Sequence, residues 1–155
     1  MDARISRLRL LLLAAVIFTA PLSTAATETD QIDATSLKQM LSAMGYTLTD
    51  LTAEKFEFTL KTSELEIPIA AEVSSSKNFI WLTVFLGKNK PTLNYEELLK
   101  QNFIIQPCFF YITGKENFMM GVAMENRGLT PAVVRRIVEK LSRDVQSTRP
   151  VWDVP

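Results

Sequence analysis

The sequence contains no histidine, and its one cysteine is Cys108. Hydrolytic triads, histidine-ligated metal centres and most general-base schemes depend on histidine, so these classes of site are excluded. A lone cysteine also excludes an intramolecular disulfide, a dithiol redox site and a cysteine-rich zinc site. Cys108 lies in an apolar stretch and lacks a base, so we interpret it as a small buried hydrophobe.

Glycine is scarce, with five residues in the chain, and none belongs to a phosphate-binding loop. Gly114 and Gly128 have the context of turns, and Gly121 lies within a strand pattern. Two pairs of acids remain as candidates for acid–base chemistry. We interpret Glu64 with Glu66 as a solvated strand face, and residues 96–97 as a favourable helix start. We therefore predict no catalytic residue, no metal and no cofactor.

Neither sign of charge is in excess, since 17 Lys+Arg balance 17 Asp+Glu. Removing residues 1–25 takes away three arginines and one aspartate, which leaves 14 basic and 16 acidic groups. Nucleic-acid binding needs a basic surface that neutralises phosphates, and this composition does not provide one. We predict no nucleic-acid partner.

The longest apolar run, residues 10–20, follows a basic start and ends before Pro21. A membrane-spanning helix needs about 20 apolar residues, so this run is too short. Small residues up to Ala25 complete the layout of a secretory signal peptide. We predict a signal peptide over 1–25 that is cleaved after Ala25, a flexible leader over 26–32, and a periplasmic or extracellular protein. The alternative is an uncleaved N-terminal anchor, which would be the chain's one membrane contact.

Periodicity predicts one domain over 33–147 and a tail over 148–155. Leu37, Met40, Leu41 and Met44 recur at helical spacing, which predicts a helix over 34–44. Ser36 with Gln39 has the spacing of a capping box for it. Three strands follow in KFEFTLK, ELEIPIAAEV and NFIWLTVFLG, and Pro68 in the second predicts a side without ladder bonds.

A short helix is predicted in KPTLNYEELLKQN, with Asn94 at its start. CFFYIT and FMMGVAME read as a hairpin. Thr130 and Pro131 open the last helix, whose apolar stripe includes Val138 and Leu141 and whose wet side has Arg135–Glu139 and Lys140–Asp144 at ion-pair spacing. The order α-βββ-α-ββ-α predicts an α+β fold, with a five-stranded antiparallel sheet and helices packed on one face.

The third, fourth and fifth strands are apolar on both faces, which a sheet with helices on one face does not require. One set of residues faces the helices, and the other needs a different cover. The tail and loops could supply that cover, or a partner could. We predict that a protein-binding face is formed by Phe79, Trp81, Phe85, Phe109 and Tyr111. With the two faces assigned the other way round, Ile80 and Val84 would bind instead.

The element order over residues 33–145 resembles the class I type III secretion chaperone fold. The segment LNYEELLKQNFIIQPCFFYITGKENFMMGVAMENRGLTPAVVRRIVEKL is similar to the YbjN family of bacterial sensory transduction regulators. The resemblance implies an antiparallel sheet in which the third and fifth strands are neighbours. It also implies non-catalytic protein binding, often as a dimer. The secretion chaperones are cytoplasmic, whereas this chain has an export signal.

Together these observations predict an exported, non-enzymatic binding module. Its partner would be a protein or peptide, or a second copy of the chain. The alternative is a small-molecule-binding or weakly catalytic envelope protein. A deep pocket with convergent polar groups would favour that alternative, and a flat aromatic face would favour protein binding.

Overall fold

The computed structural model of the protein describes residues 31–155. The predicted signal peptide and residues 26–30 of the predicted leader lie outside this range. The helices are α1 (Ala34–Ala43), α2 (Tyr95–Ile104), α3 (Pro131–Ser147) and α4 (Arg149–Trp152). The strands are β1 (Thr49–Asp50), β2 (Lys55–Lys61), β3 (Glu66–Val73), β4 (Phe79–Lys88), β5 (Phe109–Ile112) and β6 (Asn117–Glu125).

The strands form a six-stranded antiparallel sheet in the order β1-β2-β3-β4-β6-β5. The predicted α+β fold is confirmed, but the strand count is six rather than five. The additional strand, β1, pairs Thr49 and Asp50 with two residues of β2. Two residues are too few to show an alternation, so the sequence pattern did not indicate this strand. β4 and β6 are neighbours, as the family resemblance implied for the third and fifth predicted strands.

Each long helix begins at a side chain that accepts a backbone N–H. Asn94 caps α2, and Thr130 caps α3 directly before Pro131, both as predicted. The predicted capping box of α1 is wrong. The cap is Asp33, whose Oδ1 accepts the N–H of Ser36 at 2.8 Å. Asp and Ser are comparable N-caps, and local geometry selected the earlier residue.

The core lies between one face of the sheet and the helices. The apolar stripe of α3, including Val138 and Leu141, is fully buried there as predicted. Leu37 and Leu41 of α1 and Leu98 of α2 join the same cluster. The strand residues beneath the helices are even-numbered positions of β4 and their partners in β6. They are Ile80, Leu82, Val84, Met120 and Val122, all at most 2% exposed. Within residues 31–155, no helix is both long and apolar enough to cross a bilayer.

The end of the predicted leader is held by a buried asparagine. Asn126 Oδ1 accepts the N–H of Ile32 at 3.1 Å, and its Nδ2 donates to the carbonyl oxygens of Ile32 and Lys77, each at 2.8 Å. Gln31 Nε2 donates to Asn78 Oδ1 at 3.1 Å. Gln31 and Ile32 are therefore tied to the domain by hydrogen bonds.

The tail lies on the helical side of the molecule. Trp152 Nε1 donates to the carbonyl oxygen of Val145 in α3 at 3.0 Å, and Val151 and Val154 pack against the core. Pro150 lies in the first turn of α4, where proline is tolerated, so the helical path resumes after Thr148. The tail thus packs on α2 and α3. It does not cover the face of the sheet opposite the helices.

Candidate functional site

The five predicted binding residues share the face of the sheet that carries no helix. Phe79, Trp81 and Phe85 are odd-numbered positions of β4, and the even-numbered Ile80, Leu82 and Val84 are buried under the helices. Phe109 and Tyr111 lie on the edge strand β5, one strand beyond β6. Since successive residues of a strand point to opposite faces, the helices cover the other set. We call these five residues the aromatic face.

Small residues of β6 allow the rings from β4 and β5 to meet above that strand. The register places Trp81 opposite Ala123, and Phe109 opposite Gly121. The Trp81 and Phe109 ring centroids are 6.1 Å apart at 82°, an edge-to-face contact, and Phe109 and Tyr111 are 5.7 Å apart. A Cβ on Gly121 would lie 3.0 Å from Cε1 of Tyr111. The Tyr111 ring therefore depends on glycine at this position.

The five residues divide into a packed cluster and two exposed flanks. Trp81, Phe109 and Tyr111 are half-buried against one another. Phe79 and Phe85 are 45% and 52% exposed. β3 pairs with β4 only as far as Ala70↔Thr83, so Phe85 has no β3 neighbour. The side of β3 without ladder bonds includes Pro68, as the sequence predicted.

An open groove of about 600 Å³ runs along the cluster. Lys55 Nζ lies 3.3 Å from Glu72 Oε2 on one side of it. On the side of the β5–β6 turn, Lys88 Nζ donates to Asn117 Oδ1 at 2.7 Å. Burial, and then the negative charge of Glu72, raise the pKa of Tyr111, so its hydroxyl remains a neutral hydrogen-bonding group at neutral pH. The groove thus has an apolar floor and polar margins.

The thiol of Cys108 is buried, as predicted. Burial, and then the neighbouring Asp144 carboxylate, raise the pKa of Cys108 to about 12. A thiol of this kind is a poor nucleophile at neutral pH, because the thiolate is the reactive form. Asp144 pairs with Lys140, as the spacing predicted, but its carboxylate is buried and does not lie on the solvent-exposed side of α3. The described residues show no ion pair between Arg135 and Glu139.

Three of the four residues in the two acidic pairs have side-chain partners. Glu66 pairs with Lys61 at 2.8 Å, and Glu96 pairs with Lys100 at 2.7 Å. Glu97 accepts a hydrogen bond from Gln101. Among residues 31–155, no three His, Cys, Asp or Glu side chains are grouped so that they could hold a metal ion.

A second apolar surface, which the sequence analysis missed, lies on α2 beside β5. Phe103, Leu99 and Ile104 are 79%, 70% and 68% exposed, and Ile112 of β5 and Tyr95 are also exposed. We call these five residues the α2–β5 surface. The signal available in the sequence was that the apolar residues of α2 spread around more of the helix than a single apolar stripe covers: Tyr95, Leu98, Leu99, Phe103 and Ile104.

The fold is chaperone-like. One chain of the heterodimeric ExoU–SpcU complex from the type III secretion system of Pseudomonas aeruginosa superposes with a TM-score of 0.56 and 15% identity, over 74% of this chain and 95% of that one. A chain of the HopA1–SchA chaperone–effector complex superposes with a TM-score of 0.55 and 11% identity, over 77% of this chain and 92% of that one. No protein-family model and no curated protein matches by sequence.

Proposed function

We propose that this protein is an exported, non-enzymatic protein-binding module that holds a protein or peptide partner on its aromatic face. The observation that carries the proposal is a helix-free sheet face on which Phe109 contacts both Trp81 and Tyr111, with exposed phenylalanines on either side. Trp and Tyr are enriched among the residues that dominate binding energy at protein interfaces. The two solved structures described above are complexes of one protein with another, which supports a protein partner.

The shape of the face favours a polypeptide over a small molecule. Ligand sites for small molecules enclose most of the ligand in a concave pocket with a few convergent polar groups. The groove here is open, and its polar groups lie at opposite margins, with Lys55 and Glu72 on one side and Asn117 on the other. An extended segment could lie along this groove and place apolar side chains against the rings. Membership of the YbjN family stays a prediction from the sequence resemblance.

We assign self-association to the α2–β5 surface. Three apolar side chains of this surface are exposed by more than two thirds, and exposed apolar patches mark interaction sites. A two-fold axis through Leu99 would place two α2 helices antiparallel, with Tyr95 of each copy facing Phe103 of the other. The second copy thus fits this surface in its apolar pattern.

Export is proposed from the sequence layout of residues 1–25. N-terminal sequencing of the protein from envelope fractions is expected to begin at Ala26. Intact protein that begins at Met1 and stays with membranes would contradict cleavage.

The test of the two surfaces uses residues 26–155 with single substitutions on each. Phe103→Glu is expected to weaken self-association at least about 30-fold in sedimentation velocity, since it places a charge in the apolar contact. Trp81→Ala is expected to leave self-association unchanged and to reduce the partner captured from envelope extract by a similar factor. The fold should survive both changes.

Leu82→Ala is the matched control for Trp81→Ala, because the two residues are adjacent and point to opposite faces. Leu82→Ala is expected to lower the free energy of unfolding by about 2–5 kcal/mol. Capture by Trp81→Ala equal to that of the wild type, or an equally large loss of stability in that variant, would show that Trp81 is not a binding residue. A wild type that stays monomeric at high concentration would remove the self-association proposal.

A further inference from the structure

The edge strand β5 presents alternate backbone groups to the outside of the sheet. Thr113 N–H donates to the carbonyl oxygen of Asn117, so the odd-numbered residues of this strand bond inward, towards β6. The N–H and C=O groups of Phe110 and Ile112 therefore point outward. Such unpaired groups are a template on which another strand can add.

The side chain of Asn102 in α2 occupies this edge. Its Oδ1 accepts the N–H of Phe110 at 2.6 Å, and its Nδ2 lies 3.3 Å from the carbonyl oxygen of Phe110, to which it donates. One amide thus satisfies both groups of an outward-facing residue, as a residue of a neighbouring strand would. The N–H of Cys108, the preceding even position, donates to the carbonyl oxygen of Ile105. Among residues 31–155, no side chain covers the outward-facing N–H and C=O of Ile112 in this way.

We propose that Asn102 is a specificity-determining residue that closes the β5 edge to strand addition. The α2–β5 surface then accepts partners that pack apolar side chains against it, and rejects partners that extend the sheet. Asn102 lies between the β5 edge and the α2–β5 surface, because it also lines the apolar groove of about 250 Å³ between α2 and β5. Edge closure follows from the hydrogen bonds alone; only the consequence for self-association rests on the proposed function.

The β5 edge lies next to exposed apolar side chains, which makes its closure by Asn102 necessary. Without Asn102, Phe110 and Ile112 would offer two N–H and two C=O groups at consecutive outward positions. Phe103 and Ile104 are among the most exposed apolar side chains and lie next to Asn102 in sequence. An open edge flanked by apolar side chains is the arrangement that promotes sheet-to-sheet association.

Amide hydrogen exchange tests the closure directly. In the wild type, the amide of Phe110 is expected to exchange more slowly than that of Ile112. Asn102→Ala is expected to speed exchange at Phe110 about tenfold, the effect of one net hydrogen bond. Gln101→Ala is the control, because the Gln101 side chain bonds Glu97 within α2. Equal exchange at Phe110 and Ile112 in the wild type would overturn the closure, whether or not Asn102→Ala folds.

Association tests the specificity. Asn102→Ala is expected to form open-ended assemblies with the infrared signature of intermolecular sheet, whereas the wild type forms none. Adding Ile112→Pro removes one outward N–H and should abolish these assemblies, because an edge position tolerates proline. An Asn102→Ala protein whose Phe110 amide is exposed but which forms no more sheet than the wild type would overturn the specificity role. Phe103→Glu in the wild-type background tests self-association separately.

Discussion

Gly121 is predicted to be the residue that lets the aromatic cluster form, and Gly121→Ala tests this. The added Cβ would lie 3.0 Å from Tyr111 Cε1 and 3.4 Å from Thr83 Cγ2. Overpacking of this kind costs about 1–3 kcal/mol. Alanine in place of a strand glycine gains about 0.5–1 kcal/mol from chain entropy. The net loss of unfolding free energy is therefore expected to be about 0–2.5 kcal/mol.

A double-mutant cycle identifies the cause of that loss. In a Tyr111→Ala background the close contact with the ring is absent, so Gly121→Ala should become neutral or stabilising by up to about 1 kcal/mol. Urea unfolding of the four proteins gives the coupling energy. A coupling below about 0.5 kcal/mol would refute the view that Tyr111 lies over β6 because residue 121 is glycine. Displacement of the ring should also weaken partner capture in the single variant.

Three further outcomes are expected. Leu141→Ala should lower the free energy of unfolding by about 2–5 kcal/mol in urea, because the side chain is fully buried; a change of a few tenths would mean that another face of α3 packs on the sheet. Asn126→Ala should cost about 1–3 kcal/mol through unpaired buried groups, and the exposed Asn78→Ala much less. The raised pKa of Cys108, about 12, means that the neutral thiol is favoured in the folded protein. The stability that the protonated Cys108 thiol contributes to the folded state is complete below about pH 9 and is lost as the pH rises towards 12. The free energy of unfolding of Cys108→Ala should therefore fall less over that range than that of the wild type, and equal losses would contradict this.

Local patterns were sufficient for most of the fold. Alternation in KFEFTLK and the stripe of α3 predicted both the element and its buried side, because each pattern has the period of its own secondary structure. The caps at Asn94 and Thr130 were equally local. β1 was missed because its two residues form a strand only through pairing with β2.

The candidate site could be predicted only in part. Period two was enough to place Phe79, Trp81 and Phe85 on one face of β4. The exposure of Phe103 could not be predicted in the same way, because the sequence of a short helix does not indicate which segment of the chain will pack against each of its sides. The bond between Asn102 and Phe110 joins a helix to a sheet edge, and no spacing in the sequence indicates it.

The sequence by itself determined the absence of histidine chemistry, the order of the longer elements and the sets of residues that share a face. Each depends on residue identity or on backbone periodicity, which are properties of the chain alone. The tertiary structure decided which face of the sheet the helices cover, and that the tail packs on α2 and α3 instead of on the aromatic rings. It also decided that Gly121 lies beneath Tyr111 and that α2 leaves one apolar side in solvent. These features depend on contacts between distant segments, because burial is set by what the rest of the chain places against a residue.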